Sequence, residues 1–251
     1  MAKGGSYGAR ATTNLQWRVI VRTFLGVAAA LVLVFGSAGR WDYWQGWLYL
    51  LLVLMTMGLM WLVLPQDSTL VEERLNPGAG MKGWDRLYFA LSTPMYLTAM
   101  IVAALDVGRF GWTGALPAWC YALSVLLYVI GQGIFLWARY VNHFFSSVVR
   151  IQLDRGQTVC TDGPYRYVRH PGYVGGILFG LATPLILGSV WALLPQTLAA
   201  LLLIWRTARE DRTLQSDPVH YRSGELSAQY PPGECALWGC PTNGGGVAQI
   251  V

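Results

Sequence analysis

Charge is scarce in this sequence. Asp, Glu, Lys and Arg make up 12% of its 251 residues, about half the share typical of soluble domains, which is too little to coat a soluble surface of this size. Histidine occurs three times and cysteine four times, as Cys120, Cys160, Cys235 and Cys240. None of the cysteines forms a CxxC pair, and the C-x4-C spacing near the tail has no histidine beside it. That argues against a zinc site and against a disulfide framework. P-loop and HExxH patterns are missing, so phosphate-cradling and zincin chemistry find no support, and no residue is assigned to a metal. Basic runs interleaved with aromatics are also lacking outside the apolar segments. The net charge of +5 therefore does not point to nucleic acid.

What fills the chain instead is apolar sequence, 54% of the residues, with a mean hydropathy of +0.40. Apolar runs of about 18 residues or more identify an all-α, polytopic membrane protein. Spans are expected at 19–36, 43–64, 87–105 and 119–138, with Pro94 kinking the third and Arg22 close enough to an end of the first to snorkel. Two shorter apolar stretches follow, 173–187 and 190–205, separated only by Gly188-Ser189. At 15 and 16 residues each falls short of the roughly 20 that cross a bilayer. They form a tight helical hairpin, which brings the total to five or six transmembrane helices. Twelve Trp and 13 Tyr suit the two bilayer interfaces.

With six crossings, 16 of the 18 Lys and Arg fall on one side, leaving only Arg40 and Arg109 on the other. The positive-inside rule then makes the amino terminus, the long loop 139–171 and the tail cytoplasmic, in a bacterial inner membrane or the endoplasmic reticulum. Residues 1–18 are expected to be a disordered polar cytoplasmic leader and 19–215 the transmembrane domain, with its motifs in 139–215. Residues 216–251 show no amphipathic period and are expected to form a poorly ordered tail.

Two polar clusters stand out against this background. The first is TVCTDGPYRYVRHPGYVGG, residues 158–176, where two Gly/Pro turn dipeptides enclose two arginines, a histidine and two tyrosines, with Tyr173 just beyond. Polar groups gathered beside a bilayer mark either a site or an aromatic, basic belt anchoring a helix end. The second is WRTAREDRTLQ, directly after the last apolar stretch, where Arg206 and Glu210 lie four apart and share a helix face. Alone it would pass for a solvated helix end laced with ion pairs. The hairpin returns it to the membrane face of the first cluster, so the two meet at one interface.

At these residues the chain resembles the isoprenylcysteine carboxyl methyltransferase family and its phospholipid methyltransferase relatives. The R-H-P-x-Y-x-G pattern is carried by Arg169, His170, Pro171, Tyr173 and Gly175, and the R-x-x-x-E-[ED]-x-x-L pattern by Arg206, Glu210, Asp211 and Leu214. The resemblance covers about residues 120–215. It implies a cofactor, S-adenosyl-L-methionine, held on the cytoplasmic face by Gln152, Gln157, Thr158, Val159, Cys160, Tyr165, Arg169, His170, Pro171, Gly172, Tyr173, Glu210 and Asp211. It also implies that Arg206 grips the substrate, a lipid or prenylated molecule entering sideways from the bilayer. Carboxyl O-methylation of an isoprenylcysteine-like group is the expected reaction. An NADPH-dependent membrane sterol or enone reductase and a non-catalytic membrane protein are the alternatives. The oligomeric state is not legible.

Overall fold

The computed structural model describes residues 5–63, 81–142, 144–145 and 160–216. Among these are six α-helices and no β-strand: α1 Gly5–Ala38, α2 Trp44–Val63, α3 Gly83–Leu105, α4 Ala118–Val141, α5 Pro171–Ile186 and α6 Leu193–Ser216. The fold is that of an all-α, polytopic membrane protein. Ile20–Ala38, Trp44–Val63, Gly83–Phe110 and Ala118–Val141 are each long and apolar enough to cross a membrane, and α5 is a shorter apolar helix of 16 residues.

Most spans appear within a few residues of expectation, and the differences have physical causes. α1 begins at Gly5 rather than 19, which corrects the disordered leader over residues 5–18. That stretch lacks proline, so once the apolar segment has nucleated the helix nothing stops it propagating backwards. α3 begins at Gly83 because an acid in its first turn, Asp85, suits the positive end of the helix dipole. It stays helical through Pro94 and continues into a π-helical turn, Asp106–Phe110, closed by Gly111 at φ 65°. α6 does not stop where the apolar run ends at Trp205 but carries on to Ser216, so Arg206, Glu210 and Asp211 ride on the same rigid rod as the membrane segment. The divergent tail, apart from Ser216, lies outside the described residues.

The helices alternate in direction between two ends. At one end, α3 finishes against α1 and against the α5–α6 turn. Gly108 lies so close to α1 that an added Cβ would stand 2.5 Å from Ala38 Cα, and Arg109 Nε donates to Ser37 O at 2.7 Å. The buried Asp106 carboxylate accepts from Thr113 N at 2.8 Å, from the Thr113 hydroxyl and from Ser189 Oγ at 2.6 Å. Tyr43 ties α2 to the same turn through its hydroxyl, which donates to Leu187 O at 2.5 Å. Around these bonds pack Val34, Phe35, Leu50, Ala103, Ala104 and Leu187. At the other end, α3 begins beside the last turns of α6. From Asp85 to Asp106 an α-helix rises about 30 Å at 1.5 Å per residue, close to the thickness of a bilayer's hydrocarbon core.

α4 and α5 also pack backbone against backbone. A Cβ at Gly175 would sit 2.5 Å from Gly131 O, and one at Gly131 would sit 2.7 Å from Phe179 N. Small residues that let two backbones touch are a common way for helices to associate in lipid, where no hydrophobic effect drives them together. Gly175→Ala should therefore cost about 1–3 kcal/mol, the usual penalty of an overpacked contact. Gly133→Ala, whose Cβ would meet nothing within 4 Å, should leave thermal stability in detergent unchanged or slightly raised.

Candidate active site

The start of α5 and the end of α6 build the site. Pro171 opens α5 at a position where its missing N–H costs nothing. The residues around it are thereby fixed at a helix N-terminus, with His170 as the N-cap. Across the hairpin, His170 Nε2 lies 2.8 Å from Asp211 Oδ1, and the imidazole stacks on the Tyr173 ring at 5.1 Å and 4°. The Tyr173 hydroxyl donates to Glu210 Oε2 at 2.6 Å and accepts from Arg206 Nη1 at 2.8 Å. Both patterns singled out in the sequence therefore close on each other.

Arg206 is also held from α3. Its Nε donates to Asp85 Oδ1 at 2.7 Å and its Nη2 to Asp85 Oδ2 at 3.4 Å. The guanidinium lies 4.9 Å from the centre of the Tyr88 ring and 5.3 Å from those of Phe89 and Tyr173, a cation enclosed by aromatic faces. Arg206 is 4% exposed, Glu210 2% and Asp85 not at all. Sequence reading missed Asp85, because it falls in what looked like a polar interhelical loop. The available signal was an acid sitting on the first turn of an apolar helix.

A cavity between α5 and α6 adjoins this network. Arg169, His170, Tyr173 and Thr207 line its polar side, and Val174, Ile177 and Ile204 its apolar side. His170 Nδ1 is buried and has no hydrogen-bond partner among the described residues. Within the network, Asp85 pairs with the Arg206 guanidinium, Asp211 with the His170 imidazole, and Glu210 takes the Tyr173 hydroxyl. Burial raises the Glu210 carboxyl above its ordinary range, with His170 and Arg206 acting in the opposite direction; Glu210 stands past the apolar run, outside the membrane-spanning part of α6. A buried carboxyl beside aromatic rings suits a cationic ligand, whose charge would favour the ionised form of that carboxyl.

The remaining expected residues divide in two. Tyr165 sits on a 3-10 turn, Gly163–Arg166, with its hydroxyl accepting from Asn142 Nδ2 at 3.3 Å; burial raises its phenol above the ordinary value. Gly163, at φ 58°, packs close to Val141 and Trp137 of α4, which brings this turn to the site end. Cys160 is half-buried, and burial raises its thiol. Arg169 is buried, and Gly172 lies where a Cβ would come within 2.8 Å of the Phe145 ring. Gln152, Gln157, Thr158 and Val159 lie outside the described residues.

The segment that builds this site has relatives. Residues 119–217 match the family model described as phospholipid methyltransferase. The match runs from the first turn of α4 to the end of α6, so the matched segment contains every site element except Asp85 and its helix. A curated relative, the protein-S-isoprenylcysteine O-methyltransferase of Schizosaccharomyces pombe, is 37% identical over 152 residues, which are 61% of this chain and 57% of that protein. The chain thus matches less than two thirds of that relative's length. No solved structure matches it. The resemblance read from the two motifs is borne out by both findings.

The Tyr173 hydroxyl is the pivot of the network. Tyr173→Phe removes the donor to Glu210 and the acceptor for Arg206 in one step, leaving buried groups of both signs undersatisfied. A loss of about 1–3 kcal/mol is expected, read as a lowered unfolding midpoint in detergent with helix content intact.

Proposed function

We propose that this chain is an S-adenosyl-L-methionine-dependent integral membrane methyltransferase, and that its acceptor is an isoprenylcysteine-like carboxylate carried on a lipid chain. The observation that carries the reading is the buried joining of His170 and Tyr173 to Glu210, Asp211 and Arg206, within a segment that matches a methyltransferase family. The named activity of the yeast relative supports the acceptor.

The donor set fits the cofactor: buried carboxyl groups for an ammonium or ribose hydroxyls, aromatic faces beside a sulfonium, and an imidazole nitrogen still in want of a partner. When bound, S-adenosyl-L-methionine would supply a methyl group on positively charged sulfur. Glu210 and Asp211 would hold its cationic and hydroxyl groups. Tyr165, Arg169, His170, Pro171, Gly172 and Tyr173 would shape the pocket, with Cys160 and residues Gln152, Gln157, Thr158 and Val159 of the preceding loop completing it. A carboxylate acceptor is already ionised at neutral pH, so the chain needs no general base. Its residues align the acceptor and keep water away. Arg206 is the cation that orients the carboxylate, and Tyr88, Phe89 and Tyr173 around it exclude solvent. The lipid chain would reach the site from the bilayer between helices, with the site at the cytoplasmic end where the Lys and Arg gather.

Calorimetry on detergent-solubilised protein tests the cofactor. S-adenosyl-L-methionine should bind and NADPH should not; the reverse result would favour a reductase. Glu210→Ala should weaken S-adenosyl-L-methionine binding by about 1.5–3 kcal/mol, the scale of a charged hydrogen bond. Unchanged affinity in a folded variant would remove Glu210 from the pocket.

Arg206 has a separate test. A lysine cannot reproduce the planar fork of a guanidinium. Arg206→Lys should keep cofactor affinity within about tenfold, roughly 1.4 kcal/mol, while methyl transfer falls much further. Equal losses in both would place Arg206 in the cofactor pocket instead.

A further inference from the structure

We propose that Asp85 is a positioning residue for Arg206, and that it sets how firmly the site holds an anionic acceptor; the inference rests on the methyl-transfer reading above. Asp85 and Arg206 are 121 residues apart in sequence, yet form a two-point contact with neither side chain more than 5% exposed. Stability alone does not call for such a pair. Taking both charges out of water is costly, and a well-packed apolar pair of similar volume often serves a buried position as well. What the pair provides is direction. Asp85 takes the Nε and Nη2 side of the guanidinium, and Nη1 is thereby aimed at the Tyr173 hydroxyl, which in turn donates to Glu210. The series Asp85, Arg206, Tyr173, Glu210 fixes the cation from the side of α3 and hands its orientation to the residues of α5 and α6.

The second consequence is electrostatic. A guanidinium in a water-poor site without a carboxylate in direct contact would bind an acceptor carboxylate tightly and withdraw charge from the oxygen that must attack. Tight ground-state binding of that kind lowers KM without helping the chemical step. With Asp85 neutralising part of its field, Arg206 can orient the acceptor and leave it nucleophilic. The segment that matches the family, residues 119–217, does not include Asp85, so this control is exerted by a helix outside it.

The test is steady-state methyl transfer from S-adenosyl-L-methionine to an N-acylated S-prenylcysteine in detergent, with cofactor affinity measured separately by calorimetry. For Asp85→Asn the expected result is a kcat at least about tenfold lower, with the acceptor KM lowered about threefold or more and cofactor affinity within about threefold of wild type. A role confined to structure would instead raise KM or weaken cofactor binding as kcat falls, and that pattern overturns the proposal. If Asp85→Asn does not fold, Asp85→Glu decides: the charge is kept but the guanidinium is displaced. The proposal then expects kcat to drop about tenfold with the acceptor KM within about twofold, and wild-type kcat overturns it. The wild-type arm separates the two readings. If wild-type protein binds no S-adenosyl-L-methionine or methylates no S-prenylcysteine, the methyl-transfer reading fails and takes this one with it. If wild type is active and the Asp85 variants match it, only the positioning role fails.

Discussion

A guanidinium at the end of a membrane helix, almost wholly enclosed by protein, must be neutralised by the protein itself, because hydrocarbon offers no water to do it. Arg206 meets that requirement with Asp85 from one helix, the Tyr173 hydroxyl from a second, and three aromatic faces. The rest of the arrangement follows. α3 is locked in register against α6, the start of α5 is drawn onto the same point, and Glu210 is brought to the Tyr173 hydroxyl. Asp85 is thus placed by the need to satisfy one cation, and Glu210 is joined to that cation through the Tyr173 hydroxyl.

The opposite end of α3 answers the same demand with the signs reversed. The Asp106 carboxyl is buried, and it is satisfied by hydroxyl and backbone donors from Thr113 and Ser189 rather than by a cation. Arg109, close by in sequence, spends its donors on the carbonyls that α1 leaves unpaired at its C-terminus. One end of the helix therefore carries an ion pair open to chemistry, and the other carries a neutral-donor cage whose effect is mechanical: it fastens the turn of the α5–α6 hairpin to α3.

Much of this was legible in the sequence. The apolar runs gave the helices, the two-residue break Gly188-Ser189 gave the hairpin, and the hairpin in turn brought Arg206, Glu210 and Asp211 to the face that holds His170 and Tyr173. Local periodicity and spacing carry that information. What they do not carry is the choice of a distant partner. Nothing near Asp85 in the chain indicates that an arginine 121 residues away will settle on it, and nothing around His170 indicates that its imidazole will meet Asp211 rather than Glu210. The start of α1 was misjudged for a different reason. Polar residues were read as disorder, whereas a helix already nucleated by its apolar half can extend into a polar stretch that holds no proline.

The contact between Gly131 and Gly175 has a consequence for how the protein can change over generations. Where two backbones touch, almost any side chain is an intruder, so that joint can drift only by keeping both glycines. The joint between α3 and α6 is made of side chains, an ion pair and the edge-on rings of Trp84 and Trp205, and the ring pair can be exchanged for another that fits, while the ion pair is tied to the site. The bundle thus has a seam of touching backbones that resists revision, and a seam of side chains whose ring contacts, but not its ion pair, are open to it.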